Sequence, residues 1–152
     1  MFMRSRSVLP MTLCAAVFII GSAAADEKFG AGVSLSETTP IVRLLERPAE
    51  FEGKTVRVEG VVTEVCTAMG CWMALAPSGQ TTSKTVLIQV DHEGKIVFPL
   101  SAKGKRAAAQ GVVEKITGGE GQEAAAELAR QQGAKAEAPT SWRIAATGAV
   151  VY

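Results

Sequence analysis

A mainly β domain, folded as a small five-stranded barrel, is what this sequence of 152 residues predicts. Three observations carry that expectation. The run "KTVRVEGVVTEVC" alternates apolar and polar residues with the period of a strand. Further β-rich runs, "CWMALAP", "KTVLIQVD" and "SWRIAATGAVVY", are set apart by turn chemistry such as Pro77-Ser78-Gly79 and His92-Glu93-Gly94. A long helical signal is confined to one segment rich in Ala and Glu, "GQEAAAELARQQG".

The chain opens "MFMRSRSVLPMTLCAAVFIIGSAAADEKFG", with Arg4 and Arg6 ahead of an apolar run from Val8 to Ile20 and Ala23-Ala24-Ala25 before Asp26. That is the layout of a cleaved secretory signal. As a helix, an apolar run of about 13 residues reaches roughly 20 Å, well short of the ~30 Å hydrocarbon core of a bilayer. Residues 1–25 are therefore expected to be removed, residues 26–152 to form one domain, and the product to be periplasmic or secreted without a permanent membrane span. Cys14 follows Leu13, where lipidation needs a small residue, and is expected to leave with the signal.

The tail from Asp26 to Glu37 offers few core candidates. Thr39 caps a short helix with Pro40 in its first turn, Ile41, Val42, Leu44 and Leu45 supply its apolar side, and Pro48 ends it. In the first long strand the alternation through Val56 and Val58 shifts phase at Gly60 towards Val61 and Val65, which predicts a bulge at the glycine. "CWMALAP" and "KTVLIQVD" supply the second and third strands, and "KIVFPL" a short extended piece ended by Pro99. "GKRAAAQGVVEKI" reads as the fourth strand, although its alanines also suit a helix. The Ala- and Glu-rich helix follows, with Gly133 placed to stop it, and "SWRIAATGAVVY" closes the barrel. This order fits an OB-like barrel with a short N-terminal helix and one helix before the last strand.

Loss of the signal changes the chemistry that remains. Arg4 and Arg6 take the basic count from 16 to 14 against 15 acids, a net charge near −1. Phosphate binding is driven by an excess of Lys and Arg, so nucleic acid is not an expected partner. Of three cysteines and five methionines, only Cys66, Met69, Cys71 and Met73 stay. Every remaining sulfur atom lies in one octapeptide, "CTAMGCWM".

Val65-Cys66 followed by Gly70-Cys71-Trp72-Met73, together with "IVRLLERPAEFEGKTVRVEGVV", resembles a secreted bacterial family of OB-like proteins catalogued as a domain of unknown function. The resemblance spans about Phe29 to Tyr152. It implies the barrel fold and an exported location, and it implies no reaction.

Two readings of the cysteines follow from the residues themselves. Cys66 ends one strand and Cys71 begins the next, so a regular hairpin places them across from each other with Cα atoms about 4.5 to 5.5 Å apart. That spacing suits a structural disulfide, the common fate of two cysteines in an oxidising compartment. It equally suits two thiolates on one metal. Antiparallel pairing about the turn after Pro77 brings position 90 beside Cys71, and so directs His92, the one histidine of the chain, towards the sulfur cluster. Cys66, Cys71, His92, Met69 and Met73 then form a soft donor set that favours Cu(I), with Zn(II) as competitor.

Each donor also has a plainer role. Met73 alternates with Cys71 and Leu75 and suits core packing. Trp72 points away from Cys71 and suits a core, while His92 beside a turn could be solvated. With Cys66–Cys71 as a staple, no cofactor is expected, and the barrel becomes a module that binds a peptide, a glycan or another periplasmic protein on its exposed face. Catalysis is the weaker expectation. C-x4-C on strands lacks the helix start that activates a C-x-x-C thiol, and no Ser-His-Asp, phosphate-loop or H-E-x-x-H pattern is present. Glu59 and Glu64 lie on a half-exposed strand, where carboxylates are usually solvated.

Processing gives the first test. The exported protein should have an intact mass lacking residues 1–25, and a lipid-modified product retaining Cys14 would contradict the expectation.

Overall fold

A computed structural model describes residues 25–79, 84–90, 96–133 and 140–152. The signal segment with Cys14, and His92, lie outside the described residues. The elements in order are β1 (Glu27–Gly30), α1 (Ile41–Glu46), a 3-10 turn (Pro48–Phe51), β2 (Thr55–Val65), β3 (Trp72–Ala76), β4 (Val86–Gln89), a second 3-10 turn (Leu100–Ala102), β5 (Arg106–Lys115), α2 (Gly119–Gln132) and β6 (Trp142–Val151).

Mainly β and closed is the architecture these elements build. β2, β3 and β4 form an antiparallel meander, β4 runs parallel to β6, β6 pairs antiparallel with β5, and β5 pairs back to β2. Five strands thus close on themselves and leave no open edge among them. Inside lie Val56, Val58, Val62, Val65, Met73, Leu75, Ile88, Val113 and Ile144, all fully or almost fully buried.

β3 and β4 are buried at every described position, because both of their faces are covered. Met73, Leu75 and Ile88 face the interior. Trp72, Ala74 and Leu87 face outward and are covered by Ala124, Ala125 and Leu128 of α2. Alanines on that side of α2 let the helix sit close to the sheet. Gly133 ends it at φ +57°, donating its N–H to the Ala129 and Arg130 carbonyls.

Several expectations need correction. The phase shift in β2 is not at Gly60: Val56, Val58, Gly60 and Val62 all point inward, and the slip falls between Val62 and Glu64, at Thr63. Val61 is accordingly only half-buried. Gly60 is required by space instead. A methyl group there would overlap the Ala76 carbonyl oxygen and press on the Ile41 side chain of α1. Thr39 does not cap α1; its N–H donates to the Arg57 carbonyl at 2.7 Å, and Pro40 holds the cap position without a side-chain bond. The short piece ended by Pro99 needs no correction: its described residues join no strand ladder, the Phe98 N–H donates to the Gly70 carbonyl at 2.9 Å, and the Phe98 ring enters the core.

β1 was absent from the sequence reading. It pairs with β6 from Glu27↔Val151 to Gly30↔Gly148, and Phe29 meets Phe98 edge to face at 5.7 Å. Four residues give too short a pattern to register as a strand. The pairing depends on Gly148, where any side chain would collide with the backbone of Gly32.

Gly60→Ala should therefore lower stability by about 1–3 kcal/mol, because overpacking against backbone relaxes poorly. Urea midpoints at unchanged slope would register the loss, and an unchanged midpoint would refute the steric role.

Candidate functional site

The octapeptide from Cys66 to Met73 turns the chain from β2 into β3. Up to Val62↔Leu75 the ladder has the register that would set Cys66 opposite Cys71. The extra residue at Thr63 moves the pairing by one, to Glu64↔Ala74 and Val65↔Met73. Cys66 then faces Trp72, donating its N–H to the Trp72 carbonyl at 2.9 Å, and Cys71 belongs to the loop. The expected direct opposition of the cysteines is corrected accordingly.

Gly70 allows the loop to close. Its φ of +64° lies in the left-handed region, its N–H returns to the Cys66 carbonyl at 3.2 Å, and a side chain would strike the Phe98 carbonyl. The two sulfurs end 3.4 Å apart, with the Cys71 S–H directed at Cys66 Sγ. On the far side, Val90 N–H donates to the Cys71 carbonyl at 3.0 Å, which agrees with the expected pairing of position 90.

α2 contributes a residue that sequence reasoning missed. Glu127 lies on the helix side that carries Ala124 and Leu128, and its carboxylate gathers the loop. Oε2 accepts from Trp72 Nε1 at 3.3 Å and lies 3.8 Å from Cys66 Sγ. Oε1 accepts from the Thr67 hydroxyl at 3.2 Å and from Gln131 Nε2 at 3.0 Å. Gln131 also donates to the Val65 carbonyl at 3.4 Å. The available signal was a glutamate three residues after Ala124 and one before Leu128, on an otherwise apolar stripe.

The result is an open cleft of about 380 Å³ between the loop and α2, lined by Cys66, Met69, Cys71, Trp72, Glu127 and Arg130 among others. Cys66 is 3% exposed and Cys71 partly exposed. Met69 is 57% exposed on the cleft's edge, and its N–H donates to Cys66 Sγ at 3.5 Å. Met73 is not at the cleft. It is fully buried in the barrel core, between Val65 and Ile88 of the neighbouring strands, because β3 turns odd positions inward. Trp72 is buried as expected, beneath α2 rather than inside the barrel. Glu59 bonds to Arg57 and Arg106 and Glu64 to Lys103, so neither carboxylate joins the site.

The two thiols are driven apart electrostatically. Burial pushes Cys66 up, but the N–H groups of Met69, Cys71 and Ala68 and the Cys71 thiol outweigh it and leave Cys66 below the ordinary 9.0. Burial also pushes Cys71 up, and the hydrogen bond to Cys66, the charge on Cys66 and the Glu127 carboxylate add to it, reaching about 12. The pair therefore loses its protons in two separate steps, the first centred on Cys66. Among the described residues, no group of three or more His, Cys, Asp and Glu is arranged to hold a metal ion.

No protein-family model matches the chain, and no curated protein matches it. Among solved structures it is similar to the crystal structure of a DUF3299 family protein from Pseudomonas aeruginosa PAO1. The two are 15% identical, with 82% of this chain and 90% of that chain covered at a TM-score of 0.39. A likeness at this level carries no argument about function.

The thiols link stability to pH with opposite signs. Cys66, depressed by folding, contributes stability that is present above its unfolded value and lost as pH falls through the folded one. Cys71, raised by folding, contributes stability present below 9.0 and lost as pH rises towards about 12. Ultraviolet thiolate absorbance of the reduced protein should show one thiolate forming below the ordinary value. Cys66→Ser should abolish that step. Two equal steps near the ordinary cysteine value would contradict the asymmetry.

Proposed function

We propose that the protein is an exported, OB-like barrel that handles a soft metal ion in the periplasm, with Cys66 and Cys71 as its thiolate pair. The observation that carries this reading is the pair of sulfurs 3.4 Å apart at an open cleft, a separation two ligands of one ion can adopt after a small adjustment. The strand order supports the OB-like reading, with a three-strand meander, a parallel β4–β6 pair and β5 closing on β2.

Cu(I) is favoured over Zn(II) by donor softness. The cleft also presents the carboxylate of Glu127, a donor that zinc accepts, but its two thiolates and the thioether of Met69 are the soft ligands that select Cu(I). His92 follows Val90 by two residues and is the proposed nitrogen donor. Met73, buried in the barrel, is better understood as packing than as a ligand. The loss of the Cys71 proton makes binding pH-dependent, tighter as pH rises.

The same short sulfur separation also favours a second reading, in which Cys66–Cys71 is a structural disulfide and the barrel binds a protein partner without a metal. The two readings rank variants differently. Under the metal reading, Cys66→Ser or Cys71→Ser should weaken Cu(I) binding on the order of 100-fold, about 2.7 kcal/mol. Met73→Leu should change it little, and His92→Ala by an intermediate amount. Under the staple reading, either cysteine change lowers stability by roughly 2 kcal/mol, and His92→Ala does nothing to copper. Competition for Cu(I), run beside urea midpoints, discriminates. Unchanged copper affinity in both cysteine variants would sink the metal reading.

A further inference from the structure

The loop that joins β2 to β3 holds its two sulfurs unequally. Cys66 Sγ is enclosed by the cleft wall, accepts the Met69 N–H at 3.5 Å, and is met from α2 by Glu127. Cys71 lies at the turn, is the more exposed of the two, and borders the cleft beside the exposed Met69. The sulfurs stand about 1.4 Å beyond disulfide bonding distance. The Gly70 contacts to Cys66 and Phe98 fix the loop backbone on either side. Bond formation therefore has to bring the sulfurs together by that distance at the end of a hairpin whose backbone hydrogen bonds are already in place.

We propose that Cys66 and Cys71 form a reversible dithiol–disulfide couple that exchanges electrons with thiol-bearing partners, with Cys71 the sulfur that is attacked and Cys66 the sulfur that leaves. This goes beyond metal handling and does not rest on it. The asymmetry supplies the direction. An incoming thiolate reaches Cys71 through the open cleft, whereas Cys66 is shielded. The departing Cys66 sulfur is received by a backbone N–H already aimed at it, and a stabilised thiolate is the better leaving group.

The exchange balances as follows. A partner thiolate attacks Cys71 Sγ of the oxidised pair, forming a mixed disulfide, and the Cys66–Cys71 bond breaks with its electron pair on Cys66. A second thiol of the partner, or a second monothiol, then loses its proton and attacks the partner's sulfur. The mixed disulfide breaks with its electron pair on Cys71, which takes up a proton. Two electrons have moved from two partner sulfurs to the pair, the proton of the second thiol is balanced by the one that Cys71 takes up, Cys66 remains the thiolate that replaces the attacking one, and the partner leaves as a disulfide. The reverse sequence oxidises the pair at the expense of a partner disulfide. The partner class is a dithiol or disulfide of a protein or a small thiol.

The test uses the exported protein in the presence of metal chelators, with reduced and oxidised glutathione as the probe. Starting from either redox form, the fraction oxidised should converge on one value at each glutathione ratio, read by alkylation and intact mass. Acid quenching early in reduction, followed by peptide mapping, should find glutathione on Cys71. In Cys66→Ser the adduct on Cys71 should accumulate, persisting at least ~10-fold longer than in the unaltered protein because the neighbouring thiolate that would expel it is gone. A pair that stays oxidised at every ratio, one that never oxidises, or glutathione found on Cys66 would overturn the proposal. Because copper is chelated throughout, these outcomes are independent of the Cu(I) competition, and either proposal can fail while the other stands.

Discussion

Between Val62 and Glu64 the β2–β3 ladder slips by one residue, and the disposition of both cysteines follows from that slip. A strand has a period of two, so one inserted residue exchanges the faces of everything beyond it. Val65 thereby turns into the barrel, and Cys66 turns outward beneath α2. Without the slip, Cys66 would face the barrel interior, opposite Cys71. With it, the sulfur faces a cleft while the hairpin remains hydrogen-bonded through Cys66 N–H to the Trp72 carbonyl.

Closure of the barrel is what keeps that end rigid. β4 lies between β3 and β6, so the loop that ends at Cys71 is tied sideways through Val90 as well as backwards through β2. α2 then acts on the outside as a third support. Its alanines approach β3 and β4 closely, and Glu127 takes donors from the Trp72 indole, the Thr67 hydroxyl and Gln131. A carboxylate at the edge of an apolar interface costs desolvation unless its oxygens are engaged, and here both are. The helix, the loop and the strand are thus joined at one side chain.

Much of the barrel was legible because its strands alternate over long stretches and its turns carry Gly and Pro. β2, β5 and β6 each run for ten residues or more, enough for periodicity to speak. The bulge was misplaced because Gly60 is the residue that sequence statistics associate with irregularity, while Thr63 gives no local sign. Only the competition between burying Val62 and burying Val65 fixes where the slip must fall. β1 and the Glu127 contacts to Cys66, Thr67 and Trp72 depend on partners more than fifty residues away; the apolar stripe around Glu127 marks the residue as unusual but does not encode those partners. Within the octapeptide, the convergence of Cys66, Cys71 and Met69 was readable, and the inward turn of Met73 followed from the same alternation that made the strand visible.

The unequal environments of the two thiols bear on both proposals through one cause. Amide N–H groups of a tight loop converge on Cys66, as they do wherever a short turn leaves donors without helical or ladder partners. Burial first, then the hydrogen bond to Cys66, the charge on Cys66 and the Glu127 carboxylate, make a charge at Cys71 costly. A bound cation removes that cost by neutralising the pair, and a disulfide removes it by eliminating both charges. Either outcome relieves the same electrostatic tension, so a partner that shifts the balance between them acts on the loop rather than on the barrel. The barrel's part is to hold the loop still, and it does so through backbone hydrogen bonds that neither a metal nor a disulfide would need to break.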